Sequence, residues 1–364
     1  MGDLTVFWDE SFLDHEPPAG EFEAEWTGRL AVEEPHPDRE ARVRNVKHIL
    51  EHALAEHVEW AAVNPITDEQ LHRVHDPEYV GKFEAFCEAG GGRLTVETGA
   101  NEATPEAARH AAGAARLAAE AAFDSDRTPY ALARPSGHHA QPAQADGFCF
   151  FNNVAIAAEH LLATGRADRV AILDWDVHHG NDTQKVFYDR DDVLFVSLHN
   201  DHWSWDPVAH PQSGGVDEYG IDDGYGYNRN VPLPPGTGNA GYAYAFEQIV
   251  DPVIEAFDPD ALLVSAGQDP GTMDPLGRNV VTKAGFEEFG RRADSLATRY
   301  ADGRFALVQE GGYQISHLAY ATLGVLEGAL DVNTGIEDPF AWLDEDAKSA
   351  RRAIDRIAEA FADG

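Results

Sequence analysis

Lysine is the scarcest charge here. Only Lys47, Lys82, Lys185, Lys283 and Lys348 carry it, and with arginine the 364 residues hold 27 basic against 64 acidic side chains, a formal charge of -37. No basic patch is available to neutralise a run of phosphates, so direct nucleic-acid binding is disfavoured. The acid excess is spread along the whole chain and reads as adaptation to a high-salt cytoplasm. At ~1 M salt the Debye length falls to ~3 Å, and long-range steering of cationic ligands would vanish. Cysteine is nearly absent too. Cys87 and Cys149 lie far apart, which excludes a disulfide framework and a CxxC zinc ribbon and fits a reducing compartment. Nowhere do 18 apolar residues run together, and Met1-Gly2-Asp3-Leu4 opens no basic-then-apolar leader, so a cytoplasmic protein with no membrane segment is expected.

What the chain does contain is enough apolar residue, 43%, for a sizeable core. Arg39 to Ala62 reads as one long amphipathic helix, with Val43, Val46, Ile49, Leu50 and Leu54 as its stripe. A second helix runs from Thr104, with Pro105 at its first turn, to Phe123. From Tyr130 onward strands and helices alternate: strands at 130–133, 169–173, 193–198, 230–233, 261–265 and 305–308, with helices between them except for a long loop over 200–225. The pattern predicts an α/β fold whose central, mostly parallel sheet is flanked by helices on both faces. No repeat or linker divides it, so 1–364 is expected to be a single domain. Residues 344–361 form a C-terminal amphipathic helix packed on the outside.

The most informative stretch is Ile172-Leu173-Asp174-Trp175-Asp176-Val177-His178-His179-Gly180, an apolar strand that breaks off into carboxylates and imidazoles. Asp-x-Asp alone reads most simply as a cap for the helix from Asn181. Four ionisable groups in six positions beside a buried strand are harder to dismiss, because unpaired buried charges are costly and are neutralised by a cation or a base. In extended backbone Asp174, Asp176 and His178 share one face. Mixed carboxylate and imidazole donors suit Zn²⁺, and Fe²⁺ or Co²⁺ would accept the same set. Asp174 and His178 would lie ~13 Å apart along an ideal strand, so at least one ligand must come from elsewhere. Sites in such folds form at the carboxyl ends of strands. Five of the expected strands end in reactive side chains: Arg134 to His139, Asp174 to His179, His199, Gln268-Asp269 with Asp274, and Glu310 to Tyr313. One shared pocket is the simplest account.

These motifs carry a resemblance. His75-Asp76-Pro77-Glu78-Tyr79-Val80, ARPSGHHA from Ala133, GFCFFNNVAIAA from Gly147, ILDWDVHHGNDTQ from Ile172, DPLG from Asp274 and EGGY from Glu310 together resemble the histone deacetylase superfamily. The likeness spans roughly 39–330. Asn181 after His-His-Gly and the DPLG segment make the chain more similar to the class II, acetylpolyamine-amidohydrolase-like and acetoin-utilisation-type branches than to class I. The resemblance implies the arginase/deacetylase fold and a Zn²⁺-dependent hydrolase that frees an amine from a short acyl group. It implies that Asp176, His178 and Asp274 hold the metal, that His139 is general base and then acid, and that His138, paired with Asp174, is an electrostatic element. It implies too that Asn181 orients His139 and that Tyr313 binds the carbonyl oxygen. It further implies a channel walled by Gly147, Phe148, Gly311 and Gly312, and an inner K⁺ site at Asp174, Asp176, His178, Ser197 and Leu198.

Departures from the pattern concern substrate shape. The second channel wall is replaced by Asp201-His202-Trp203-Ser204-Trp205-Asp206, where Trp203 and Trp205 are the candidates; Ser136, Gln268 and Gln314 replace commoner residues; and Glu97 is the one candidate for a rim carboxylate. The expected partner is acetylated lysine in proteins, with acetylated polyamines or small acylated amines as the alternative. A catalytically idle acyl-amine-binding module is the reading from another class, disfavoured by the presence of Tyr313 and both histidines. A related binuclear Mn²⁺ ureohydrolase would need further bridging aspartates. Monomer and homodimer both remain open.

Overall fold

A computed structural model describes residues 3–201, 213–341 and 345–363. The chain enters through strand β1 (Leu4–Trp8), crosses helix α1 (Ala41–Ala53) and returns as β2 (Val58–Ala62). Helices α2 (Asp68–Leu71) and α3 (Pro77–Glu88), a two-stranded ribbon of β3 (Gly92–Arg93) and β4 (Gly99–Ala100), and the long α4 (Thr104–Asp124) follow. Alternation then proceeds through β5 (Thr128–Ala131), α5 (Asn153–Ala163), β6 (Val170–Asp174), α6 (Asn181–Phe187), β7 (Val193–Asn200) and β8 (Asn228–Leu233). Helices α7 (Asn239–Ala245) and α8 (Asp251–Phe257) are continuous through a π turn at Phe246–Val250. Last come β9 (Ala261–Ala266), α9 (Lys283–Tyr300), β10 (Phe305–Gln309), α10 (Ile315–Leu330) and α11 (Ala347–Asp363).

Eight strands form one sheet in the order β2-β1-β5-β10-β9-β6-β7-β8, and every pairing in it is parallel. Four of the interior strands, β6, β7, β9 and β10, are buried along their whole length. That burial explains why they read as continuous apolar runs rather than alternating ones. On one side α4 and α5 pack on each other and on β1, β5, β10, β6 and β9; α9 and α10, with α1 against α10, form the opposite layer. The expected α/β architecture is thus present, and its sheet is wholly parallel among the described residues.

The helix expected over 39–62 is corrected. It ends at Ala53, where the Leu54 amide closes on Leu50, and His57 and Val58 both donate to the Leu54 carbonyl in the turn that follows. Val58-Glu59-Trp60-Ala61-Ala62 then pairs with β1 as the edge strand. Val58 and Ala61 fall four and seven residues beyond Leu54, so the helical period continued by coincidence, while the β-branched and aromatic residues satisfy an open edge of β1. The C-terminal helix is also shifted, to Ala347–Asp363, with Ile354 and Ile357 buried.

Strand register sets up the site. Asp174 stands level with Ser197 of β7 and Ser265 of β9, and Gln309 stands level with Ala266, so the carboxyl ends of β10, β9, β6 and β7 lie side by side. The segments that follow those strands must meet.

Candidate active site

Beyond Asp174 the chain does not stay extended. The Asp174 Oδ1 accepts the Asp176 amide at 3.0 Å, and Asp176 Oδ1 accepts the His178 amide at 2.9 Å. Two successive side-chain-to-backbone turns of this kind, which aspartate makes readily, curl the strand end and bring Asp176 and His178 together. His178 Nδ1 lies 3.1 Å from Asp176 Oδ1 and 3.0 Å from Asp269 Oδ2. Asp176, His178 and Asp269 each turn one donor atom inward, and these atoms all lie within 4.8 Å of one another. The third member of the cluster is Asp269, which corrects the expectation for Asp274. Asp274 spends its carboxylate on the loop itself, Oδ1 accepting the amides of Leu276 and Gly277 and Oδ2 the amide of Tyr313 at 2.6 Å. It therefore shapes the loop that presents Tyr313.

The donor set fits a divalent cation. Burial, then the charge of Asp176, pushes Asp269 upward to about 8, while Asp176 is held down because the charges of His138 and His178 outweigh its burial. His178 is driven up in turn: burial disfavours its charge, but hydrogen bonding and attraction to Asp176 and Asp269 prevail. Two buried carboxylates facing one imidazole nitrogen call for positive charge, and two oxygens with a nitrogen are an ordinary zinc donor set that leaves a position open. Other groups hold the donors in place: the Gly311 amide donates to Asp176 Oδ2 at 2.8 Å and the Val177 amide to Asp269 Oδ1 at 2.8 Å. A Cβ on Gly311 would sit 2.3 Å from Asp269 Oδ2 and 2.6 Å from Asp176 Oδ2, which requires glycine there.

Beside the cluster lie the paired imidazoles, with ring centroids 4.0 Å apart. His138 Nδ1 meets Asp174 Oδ2 at 2.9 Å and its Nε2 lies 3.7 Å from Asp176 Oδ1. Burial opposes charge on this ring, but Asp176, Asp174 and Glu310 overcome it and push His138 up to about 10. His139 goes the other way, held well below the ordinary imidazole value by burial and then by the charges of His138 and His178. Its Nδ1 donates to Asn181 Oδ1 at 2.5 Å. One imidazole is thus charged and its neighbour neutral, and the neutral ring has Nε2 free to accept a proton.

Glu310, which the sequence placed at a strand end without a specific role, and Arg42, which it did not single out, brace this arrangement. Glu310 Oε2 accepts the amides of Gly137 at 2.7 Å and His138 at 3.2 Å, and burial pushes its carboxyl up to about 7. Arg42, fully buried on α1, donates to the carbonyls of Gly312 at 2.6 Å and Glu310 at 2.8 Å, and its guanidinium lies 4.6 Å over the Tyr313 ring. Asp38 joins Arg42 to the equally buried Arg134. An arginine on an otherwise apolar helix face was the visible signal.

A cleft of about 570 Å³ leads to these groups. His139, His178 and Tyr313 line its base, with Gly147, Phe148, Phe22 and Leu276 on its walls and Glu23, Glu97 and Asp146 among its acidic residues. Gly147 and Phe148 both have left-handed backbone, φ 48° and 66°, and a Cβ on Gly147 would fall 2.3 Å from the His139 ring. Strain of this kind in a bulky residue is tolerated where the surroundings dictate it. Here it turns the Phe148 ring edge-on to Tyr313, with centroids 5.5 Å apart. Burial, the first cause, drives the Tyr313 hydroxyl well above the usual phenol range, so it keeps its proton. Gly311 and Gly312 lie behind the carboxylates, not in the cleft lining. Trp203 and Trp205 fall outside the described residues. Ser197, level with Asp174 across the β6 to β7 pairing, meets His199 Nδ1 through its Oγ at 2.9 Å, and the next residue, Leu198, is buried.

Residues 36–329 match the family described as the histone deacetylase domain. Histone deacetylase 8 of Arabidopsis thaliana is 41% identical over 360 residues, covering 97% of this chain and 95% of its own. A histone deacetylase-like amidohydrolase of Pseudomonas aeruginosa is 39% identical over 84% of this chain and 79% of its own. A probable deacetylase of Archaeoglobus fulgidus is 36% identical over 85% and 86%. The crystal structure of the HDA15 HD domain superposes with a TM-score of 0.85 at 32% identity, covering 100% of this chain and 95% of that one.

Proposed function

Because the chain belongs to the histone deacetylase domain family and is a hydrolase of amide bonds, we propose that it removes an acetyl or similar short acyl group from the side-chain amine of lysine in proteins, with Zn²⁺ held by Asp176, His178 and Asp269. The observation that carries this reading is the convergence of that donor cluster and the His138 and His139 pair on one aromatic-walled cleft, which His178, His139 and Tyr313 line. When bound, the ion supplies a Lewis acid that polarises the acyl carbonyl and brings the pKa of water toward ~7.

The protein's own groups do the rest. His139 Nε2, left bare by the Nδ1 bond to Asn181, takes a proton from the attacking water as its oxygen bonds to the carbonyl carbon. The same nitrogen returns that proton to the amine as the C–N bond breaks, so acetic acid and the free amine leave. Tyr313 donates to the carbonyl oxygen as negative charge gathers there. His138, kept cationic by Asp174 and Asp176, favours the same charge without exchanging its proton. Phe148 and Leu276 exclude water from the methylene stem of the substrate.

Tyr313→Phe tests the assignment: it should fold and retain zinc while turnover falls ~10²- to 10³-fold. Unchanged turnover would remove the oxyanion role. A second reading, an acetylated polyamine or small acylated amine as substrate, is favoured by Glu23, Glu97 and Asp146 around the cleft, where burial and then these like charges raise Glu97. Competing acetyl-lysine peptides with acetylspermidine decides it: preference for the peptide in kcat/KM upholds the first reading, and preference for the polyamine the second. The reading extends to K⁺ at the Asp174 and Ser197 register pair with Asp176, His178 and Leu198; K⁺-specific thermal stabilisation over Na⁺ checks it.

A further inference from the structure

We propose that Asp182 is a positioning residue: by holding the amide of Asn181 in one orientation, it selects the tautomer of His139 that can accept a proton. The inference rests on the reading of His139 as the base.

An asparagine amide is nearly symmetric in shape, so its oxygen and nitrogen can exchange places at little steric cost. Chemically the two orientations are opposite. With Oδ1 toward His139, the ring must donate from Nδ1, and Nε2 carries the lone pair. With Nδ2 toward His139, Nδ1 must accept, the ring proton moves to Nε2, and the ring cannot serve as a base. Asn181 alone does not choose.

Asp182 chooses. Its Oδ2 accepts from Asn181 Nδ2 at 2.9 Å, while Asn181 Oδ1 accepts from His139 Nδ1 at 2.5 Å. Burial, the first cause, pushes the Asp182 carboxyl up to about 7; in its ionised form it has no hydrogen to give and so tolerates only the nitrogen side of the amide. The three side chains form a directed chain, His139 to Asn181 to Asp182, each donating to the next. Asp182 is 1% exposed, and the Asn181 amide is the hydrogen-bond partner found for its side chain among the described residues. Lys185, one turn on in α6, turns its ammonium to Gln141 Oε1 at 2.9 Å, not to Asp182. A buried acid with this single polar contact, adjacent to the residue that orients the base, is otherwise an expense to the fold.

Asp182→Asn separates selection from packing. It is nearly isosteric, yet its own amide can donate, so it no longer excludes the flipped Asn181. The zinc-loaded variant should lose about tenfold or more in kcat with KM within about twofold, as expected for a crippled general base. Asp182→Ala should behave alike. In an Asn181→Asp background, where residue 181 has no amide to flip, Asp182→Asn should cost little further. Full activity of Asp182→Asn would overturn the proposal, as would an equal loss in both backgrounds, which signals general damage. A readout independent of turnover is ¹⁵N-histidine NMR, with the His139 signal identified by its loss in His139→Gln. The wild-type signal should report Nδ1–H and the Asp182→Asn signal a share of Nε2–H; identical signals would refute the selection. Full activity of His139→Gln would instead sink the base assignment and leave the tautomer result standing.

Discussion

At the scale of single residues, the instructive case is the exchange of Asp274 for Asp269. The segment Gly267-Gln268-Asp269-Pro270-Gly271-Thr272-Met273-Asp274 offers two aspartates five positions apart, and the second sits in the more recognisable motif. Distance from the strand end is the better guide: Asp176 lies two residues past β6 and Asp269 three past β9, whereas Asp274 lies eight past it. Asp269→Ala should therefore lose bound zinc together with activity, because it removes a donor from the cluster. Asp274→Asn should keep most of its zinc and lose activity through misplacement of Tyr313, whose amide it anchors. Zinc counts by mass spectrometry in the two purified variants check this, and equal metal loss in both would restore Asp274 as a ligand. His75 gives a second test. Its Nε2 accepts the Asn152 amide at 2.8 Å and its Nδ1 donates to the Gln141 carbonyl at 3.0 Å, so the ring is used as a neutral group. Burial lowers it from 6.5 to about 4. A depressed histidine contributes stability that is present above the unfolded value and is lost as pH falls from 6.5 toward 4. His75→Gln keeps an acceptor and cannot titrate. The stability advantage of the wild type over it should narrow on acidification, by roughly 1.4 kcal/mol per pH unit within that window. Chemical denaturation at several pH values measures the difference, and an advantage constant with pH would contradict a neutral buried ring.

Elements show where local pattern stops being informative. The strands from Thr128 onward were legible because parallel strands buried on both faces read as continuous apolar runs and most of them here are joined by helices. Edge strand β2 was not legible: its apolar positions continued the period of α1, and only the open edge of β1 distinguishes strand from helix there. The curled end of β6 was misjudged in a related way. Extended geometry placed Asp174, Asp176 and His178 in a row, but the two carboxylate turns bring Asp176 and His178 together and leave Asp174 to His138. Long-range capping is equally invisible in sequence. Glu345, just before α11, accepts the amides of Ala240 and Gly241 at 2.8 and 2.6 Å, satisfying first-turn donors of α7 that Gly238 cannot cap. Glu345→Ala should cost about 1 kcal/mol of stability, the usual worth of an N-terminal cap, with kcat unchanged. A shift in urea midpoint reads this out; no shift would mean that water serves those amides equally well.

On the scale of the whole molecule, architecture and charge are separate matters. The sheet places four strand ends level, and that alone gathers residues from distant parts of the chain into one site. Charge has no part in that topology, and a formal -37 acts on stability through self-repulsion. Salt has two opposing effects on such a surface. It weakens exposed ion pairs, among them Lys82 with Glu78 and Arg44 with Glu40, yet solvent-screened pairs of this kind contribute little to stability. It also screens repulsion among 64 carboxylates that 27 basic groups cannot balance, and that sum is the larger because it runs over the entire surface. Raising the salt from about 0.1 M to about 1 M shortens the Debye length from ~10 Å to ~3 Å, which removes most of that repulsion. The Tm should rise over this range, and by similar amounts in NaCl and KCl apart from any K⁺-specific increment. A Tm that is flat or falls would mean that the ion pairs outweigh the repulsion, and the high-salt reading of the composition would fail with it.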